Sequence, residues 1–444
     1  MVLNLPFKRT FRFHVNGGML LIITALLAMV VANSPFGTDY QEFWQKEIAF
    51  QIGSFNFFNH GGHPITLMQF INDALMAVFF FSVGLEIKRE ILVGELSTLR
   101  KALLPIVAAC GGMLFPVLIY YFIMRGTPGE PGLAIPMATD IAFSLGVLSL
   151  FSKRVPLSLK IFLTAFAVVD DIGGVLVIAL FYSSHLELSY LLYSLALLAI
   201  LVICNVRQVN SRWVYIAGAI AMWYMFMQSG IHATIAGVVV AFTVPAKPRE
   251  YIGRYIQLLH KQIDALPEGD TQKIILNEHQ IAALQSVKSA SDDAISPLQY
   301  LEEVLHRPVN YLIMPIFAFA NAGVVLTNAS GQIEIGLLTI AVAMGLLIGK
   351  FTGIYLFTWL VVKLRLASLG EHMNWTNLTG ICMLGGIGFT VSLFIANLSF
   401  GNQPELLNQA KMGVLMGTIL SGIVGYFILS LTLPKTPIQE VKEA

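Results

Sequence analysis

Apolar positions along this chain fall in long unbroken stretches; they neither alternate nor recur on a single helical face. Stretches long enough to cross a bilayer as helices, about 20 residues each, lie near 14–33, 65–86, 101–124, 132–151, 156–182, 187–205, 212–227, 230–245, 309–326, 335–362, 374–400 and 406–433. Lipid supplies no hydrogen-bond partners, so a spanning backbone must satisfy itself as a helix or as a closed barrel, and a barrel would show alternation. The pattern predicts an all-α integral membrane protein with twelve transmembrane helices.

Two stretches carry helix breakers: Gly132-Leu133-Ala134-Ile135-Pro136-Met137-Ala138-Thr139-Asp140 and Leu384-Gly385-Gly386-Ile387-Gly388-Phe389-Thr390. A spanning helix tolerates such breaks only where the freed backbone groups meet protein or a polar cavity. Each break sits in the central member of a triplet, spans 3–5 and spans 10–12. Interrupted segments at matching positions in two halves point to inverted-topology repeats with a site built from broken helices.

Composition agrees: 56% of the 444 residues are hydrophobic and 12% charged, against roughly a quarter charged in soluble domains, with a mean hydropathy of +0.73. A net charge of +1 offers no field for nucleic acid. If loops are assigned alternately to two sides, every Lys and Arg except Lys46, Arg125, Lys350 and Lys411 falls on the side of both termini. The positive-inside tendency then places both termini in the cytoplasm. The polar segment 246–308 counts for less in that rule. It reads as a cytoplasmic loop insertion in a single membrane domain spanning 1–444, with weakly amphipathic pieces near 273–288 and 297–306.

The basic start, Lys8, Arg9 and Arg12, resembles a secretory leader, but the many later spans favour an uncleaved first helix. Cys110, Cys204 and Cys382 lie in separate apolar runs and read as packing residues. The nine histidines have no metal-ligand spacing, and no cofactor is implied.

Five ionisable residues stand well inside apolar runs: Asp73, Asp140, Asp170, Asp171 and Lys350. At about 3 kcal/mol each, they cost on the order of 15 kcal/mol to insert, which rivals the net stability of a whole protein, about 5–15 kcal/mol. Partners or water must offset most of this. Asp170 and Asp171 are neighbours in Val168-Val169-Asp170-Asp171-Ile172-Gly173, and successive residues on a helix point about 100° apart. One carboxylate is therefore free to face Lys350, read as the only intramembrane cation, while the other faces a water-filled funnel. Like-charge repulsion and desolvation disfavour ionisation of both, so the pair binds protons readily. A small hard cation such as Na⁺ or Li⁺ wants the same oxygen ligands, and competition at one alternately exposed site is antiport. A buried polar knot holding helices together is the bland alternative, and two adjacent aspartates in mid-span argue against it.

Asp140, beside Thr139 at the first break, suits either ion ligation or neutralisation of half-helix N-termini, with Lys350 offsetting the negative ends, and the dipole role is favoured for Asp140. Glu86 and Arg89 form an i,i+3 pair at the end of the second span, equally readable as a charged flank or as functional. Asn72, Asp73 and Asn321 are assigned interhelical hydrogen bonds. His232 is a candidate for pH response, set against the commoner satisfied histidine at a helix end.

Gly84-Leu85-Glu86-Ile87-Lys88-Arg89-Glu90, Ala138-Thr139-Asp140-Ile141-Ala142-Phe143-Ser144, Val169-Asp170-Asp171-Ile172-Gly173, Phe317-Ala318-Phe319-Ala320-Asn321 and Gly385-Gly386-Ile387-Gly388-Phe389-Thr390 together resemble the NhaA-type Na⁺/H⁺ antiporters of bacterial inner membranes, a family with inverted repeats. The resemblance covers nearly the whole chain. It implies twelve helices, broken fourth and eleventh spans crossing near the membrane midplane, and pH-regulated, electrogenic exchange of Na⁺ or Li⁺ outward for protons inward. It also implies that Asp171 is the principal cation ligand and that Asp170 is its partner bridged to Lys350. Thr139 and Asp140 would line the crossing, with Glu86 and Arg89 in a pH-responsive region. The long 246–308 segment departs from the family pattern.

The expected partners are Na⁺, Li⁺, H⁺ and the bilayer, and a homodimer is compatible with the chain. The chief alternative is a Na⁺-coupled transporter of a small organic substrate, which would need a basic or aromatic substrate pocket. An intramembrane aspartyl protease needs its two aspartates on different helices facing one cleft, whereas adjacent aspartates face apart.

Overall fold

The computed structural model describes residues 17–434 apart from 50, 53–54, 57, 61–62, 152–153, 183–186, 249–252, 254, 258, 261–277 and 327–334. The basic residues Lys8, Arg9 and Arg12 lie outside the described residues, as does the start of the 273–288 amphipathic piece.

Sixteen helices are followed here in chain order: α1 Gly17–Ala32, α2 Gly37–Gln45, α3 Leu67–Leu92, α4 Leu99–Met124, α5 Ile141–Ser149 after a 3₁₀ segment Glu130–Met137, α6 Leu157–Phe181, α7 Leu188–Val206, α8 Arg212–Ser229, α9 Ile235–Thr243, α10 Glu278–Ala294, α11 Pro297–Pro308, α12 Met314–Asn321, α13 Leu337–Lys363, α14 Trp375–Leu384, α15 Phe389–Phe400 and α16 Pro404–Thr432. Two short antiparallel pairs interrupt this pattern, Gln51–Ile52 with Phe55–Asn56 and Asn59–His60 with His63–Pro64.

Among the described residues, seven helices are long and apolar enough to cross a membrane, or up to nine if each bent pair is one span. All twelve apolar runs carry a helix, but 212–227, 230–245 and 309–326 fold as α8, α9 and α12, which fall short of that measure. Of the amphipathic pieces in the polar segment, the second coincides with α11, which buries Pro297, Leu298 and Leu301.

Small residues set the closest helix crossings. On α13, Gly345, Gly349 and Gly353 form a four-residue repeat along one stripe, with a π-turn over Gly345–Gly349. A Cβ on Gly353 would sit 2.1 Å from the carbonyl oxygen of Gly111, and one on Gly349 would sit 2.6 Å from Pro116 Cα, so the stripe lets α13 lie backbone to backbone on α4. Gly237 of α9 meets α3 in the same way, 2.3 Å from the Ala77 carbonyl oxygen for an added Cβ.

Alanine is the better helix former by about 1 kcal/mol, yet the backbone oxygen facing Gly353 has nowhere to move. Gly353→Ala should lower the thermal midpoint of purified protein, by a net destabilisation of about 1–3 kcal/mol. Gly422→Ala on α16, where the nearest atom would lie at 3.7 Å, should leave the midpoint unchanged or raise it. A Gly353→Ala protein as stable as wild type would show that the crossing is loose.

Candidate functional site

The two sequence breaks meet. The 3₁₀ segment ends at Met137 and α5 begins at Ile141, while α14 ends at Leu384 and α15 begins at Phe389. Each break supplies donors for the other's free carbonyls. The Asp140 amide donates to Ile387 O at 2.6 Å. The hydroxyls of Thr139 and Ser144 donate to Gly385 O (2.8 Å) and Leu384 O (2.9 Å), and Ser392 donates to Ile135 O (2.7 Å). A break away from water is tolerated only when such partners exist.

The Asp140 carboxylate serves both half-helix N-termini. Its Oδ1 accepts from the Phe143 amide at 2.9 Å, capping α5, and its Oδ2 accepts from the Thr390 amide at 3.1 Å and the Thr390 hydroxyl at 2.6 Å at the start of α15. An anion placed at two positive helix ends is favoured by both dipoles.

Asp170 and Asp171 lie in the middle of α6 and diverge as adjacent helical residues must. Lys350 Nζ donates to Asp170 Oδ2 at 2.6 Å, and both side chains are wholly buried. The same ammonium lies 5.5 Å from the centre of the Phe166 ring. The other oxygen, Asp170 Oδ1, is buried and accepts no hydrogen bond among the described residues. Lys411 of α16 is buried as well, a second cation that its position near the helix start disguised in the sequence.

Asp171 faces the other way, into a cavity of about 550 Å³ that Thr139, Asp140 and Thr390 also line. The cavity wall continues through Ser149 to Glu86, Arg89, Glu302 and His306. Arg89 does not close on Glu86: its Nη2 lies 2.9 Å from Glu90 Oε1 and its Nε 3.0 Å from Glu302 Oε1, tying the end of α3 to α11. Burial holds the Glu302 carboxyl above the ordinary carboxylate range, with Arg89 opposing and Glu90 reinforcing it. Glu302 and His306 were missed in the sequence because they stand in the polar 246–308 segment, where no apolar surroundings mark them as exceptional.

His232 is placed elsewhere. It sits between α8 and α9 with Nδ1 3.2 Å from the Thr234 hydroxyl and its ring edge-on to Phe394, and it does not line the cavity. Asn321 links three elements, donating to Asn72 Oδ1 at 2.9 Å and accepting from Asn397 at 2.8 Å. The Asp73 carboxyl, by contrast, makes no hydrogen bond or ion pair among the described residues.

This architecture has close relatives. The chain is 65% identical over 438 residues to the Na⁺/H⁺ antiporter NhaA of Phocaeicola vulgatus, covering 99% of this chain and 98% of that protein. It is 57% identical over 424 residues to the antiporter of the same name from Bacteroides fragilis, covering 95% and 97%. With that of Parabacteroides distasonis it shares 46% identity over 450 residues, covering 99% of each. A family profile described as Na⁺/H⁺ antiporter 1 matches residues 8–429. The chain, with its crossed broken helices and its divergent aspartates, belongs to the Na⁺/H⁺ antiporter 1 family.

Proposed function

We propose that this protein exchanges cytoplasmic Na⁺, or Li⁺, for external H⁺ across a bacterial inner membrane, electrogenically and under the control of pH. The observation that carries the reading is the divergence of two adjacent carboxylates, Asp171 toward a cavity and Asp170 onto a buried lysine. Asp171 supplies a hard oxygen to a cation arriving through the cavity, and Asp170 Oδ1 and the neighbouring Thr139 hydroxyl add further oxygens. A proton competes for the same carboxylate, so loading one cargo expels the other. In this scheme Asp170 and Asp171 each take one proton when no Na⁺ is bound, and Lys350 compensates Asp170 when it is ionised. Two protons entering for each Na⁺ leaving would carry one net charge inward.

The proposed scaffold has twelve spans in inverted repeats, with the Asp140–Thr390 crossing near the membrane midplane and both termini cytoplasmic. In this scheme Asp140 holds the half-helix ends together while the surrounding helices alternate access. Glu86, Arg89 and Glu302, which line the same cavity, are the proposed pH-responsive group, and His232 contributes only indirectly from its place against Phe394.

In everted vesicles holding a respiration-driven ΔpH, added Na⁺ should collapse the gradient, and Asp171→Asn should reduce that collapse to the level of vesicles lacking the protein. Activity surviving in Asp171→Asn would sink the reading, as would a Na⁺ flux that requires an organic co-substrate. Removing one member of a buried ion pair strands the other, at about 3–5 kcal/mol. Lys350→Met alone should therefore cost far more thermal stability than Lys350→Met combined with Asp170→Asn. Equal losses in the two proteins would mean that Asp170 does not depend on Lys350.

A further inference from the structure

A second cavity, of about 750 Å³, opens between the start of α4, the start of α6 and the end of α13. It shares no residue with the ion cavity. Its wall is apolar, built by Leu104, Pro105, Ile161, Phe162, Val362 and Met373. Its rim is cationic: Arg100, Lys101 and Arg365 against the single carboxylate of Glu95. All three basic side chains are exposed, and none joins an ion pair among the described residues. Leu99 and Leu366 are exposed close by, at 90% and 57%, an arrangement suited to a membrane interface and not to open water.

Arg365 adds an independent observation. It follows the last turn of α13 with a φ of +58°, its amide donating to Val362 O and that of Leu366 to Val361 O. This is the hydrogen-bond pattern of a helix end whose left-handed position normally belongs to glycine. An arginine there is strained, and what it gains is a guanidinium at the mouth of the cavity. Gln208 and His372 also adopt positive φ, but neither lines this cavity.

We propose that this cavity binds an anionic phospholipid, with the phosphate held by Arg100, Lys101 and Arg365 and an acyl chain laid along the apolar wall. A soluble anion would leave that wall without a partner. Basic pockets between spanning helices on the cytoplasmic side suit anionic head groups, which arginine binds through paired, charge-assisted hydrogen bonds. Placing the lipid in the cytoplasmic leaflet rests on the proposed orientation, but the binding test needs neither exchange activity nor a known orientation, so the two readings fail separately.

The test uses the full-length protein, delipidated in detergent, with thermal midpoint and native mass spectrometry as readouts. Phosphatidylglycerol, phosphatidylcholine and inorganic phosphate are titrated in parallel. Phosphatidylglycerol should raise the midpoint and give a retained adduct, while phosphatidylcholine and phosphate should do neither. Arg365→Gly relieves the left-handed backbone, so the lipid-free midpoint should hold or rise while apparent phosphatidylglycerol affinity falls about tenfold. Adding Arg100→Gln and Lys101→Gln should abolish the adduct. The proposal is overturned if the triple variant keeps the wild-type lipid response, if phosphatidylcholine matches phosphatidylglycerol, or if phosphate alone reproduces the stabilisation.

Discussion

A charge taken out of water has to meet its opposite within hydrogen-bond reach or be lost, and the 2.6 Å contact between Lys350 and Asp170 is where this molecule meets that demand. Much of the surrounding structure serves to make the contact available. The glycine stripe of α13 brings its backbone against α4, and the π-turn over Gly345–Gly349 ends at Lys350 itself. Such turns gather at functional sites because they re-aim the residue that follows. With Asp170 committed to the lysine, helical geometry leaves Asp171 facing the cavity.

The same economy governs the crossed breaks. Freed carbonyls and amides in an apolar setting need fixed partners, and here each broken helix supplies them to the other through Thr139, Ser144, Ser392 and the Asp140 amide. Asp140 then answers both exposed helix N-termini with one carboxylate. The crossing is thus polar and cross-linked by hydrogen bonds where it meets the cavity.

Charge is segregated between these two cavities. One is lined by Glu86, Asp140, Asp171 and Glu302 with a single arginine, the other by Arg100, Lys101 and Arg365 with a single glutamate. Fields of opposite sign focus opposite ligands, so the first cavity favours cations and the second anions.

The chain's membrane character, its helical class, its breaks and its buried aspartates were all legible in the sequence, because each is a local conflict between an apolar run and a residue that does not belong in it. The divergence of Asp170 from Asp171 was legible too, since it follows from helical pitch alone. What only the tertiary structure decided were the partnerships across long separations. Arg89 turns from Glu86 to Glu302, Thr390 closes on Asp140, His232 packs on Phe394 away from the cavity, and three basic residues from two helix ends share one rim. Glu302 and His306 left no sequence signal, for a charged residue in a polar segment costs nothing until a neighbouring helix covers it. A sequence records where a residue is out of place along the chain, whereas its partner is set by helix packing, which depends on which backbones small residues allow to touch.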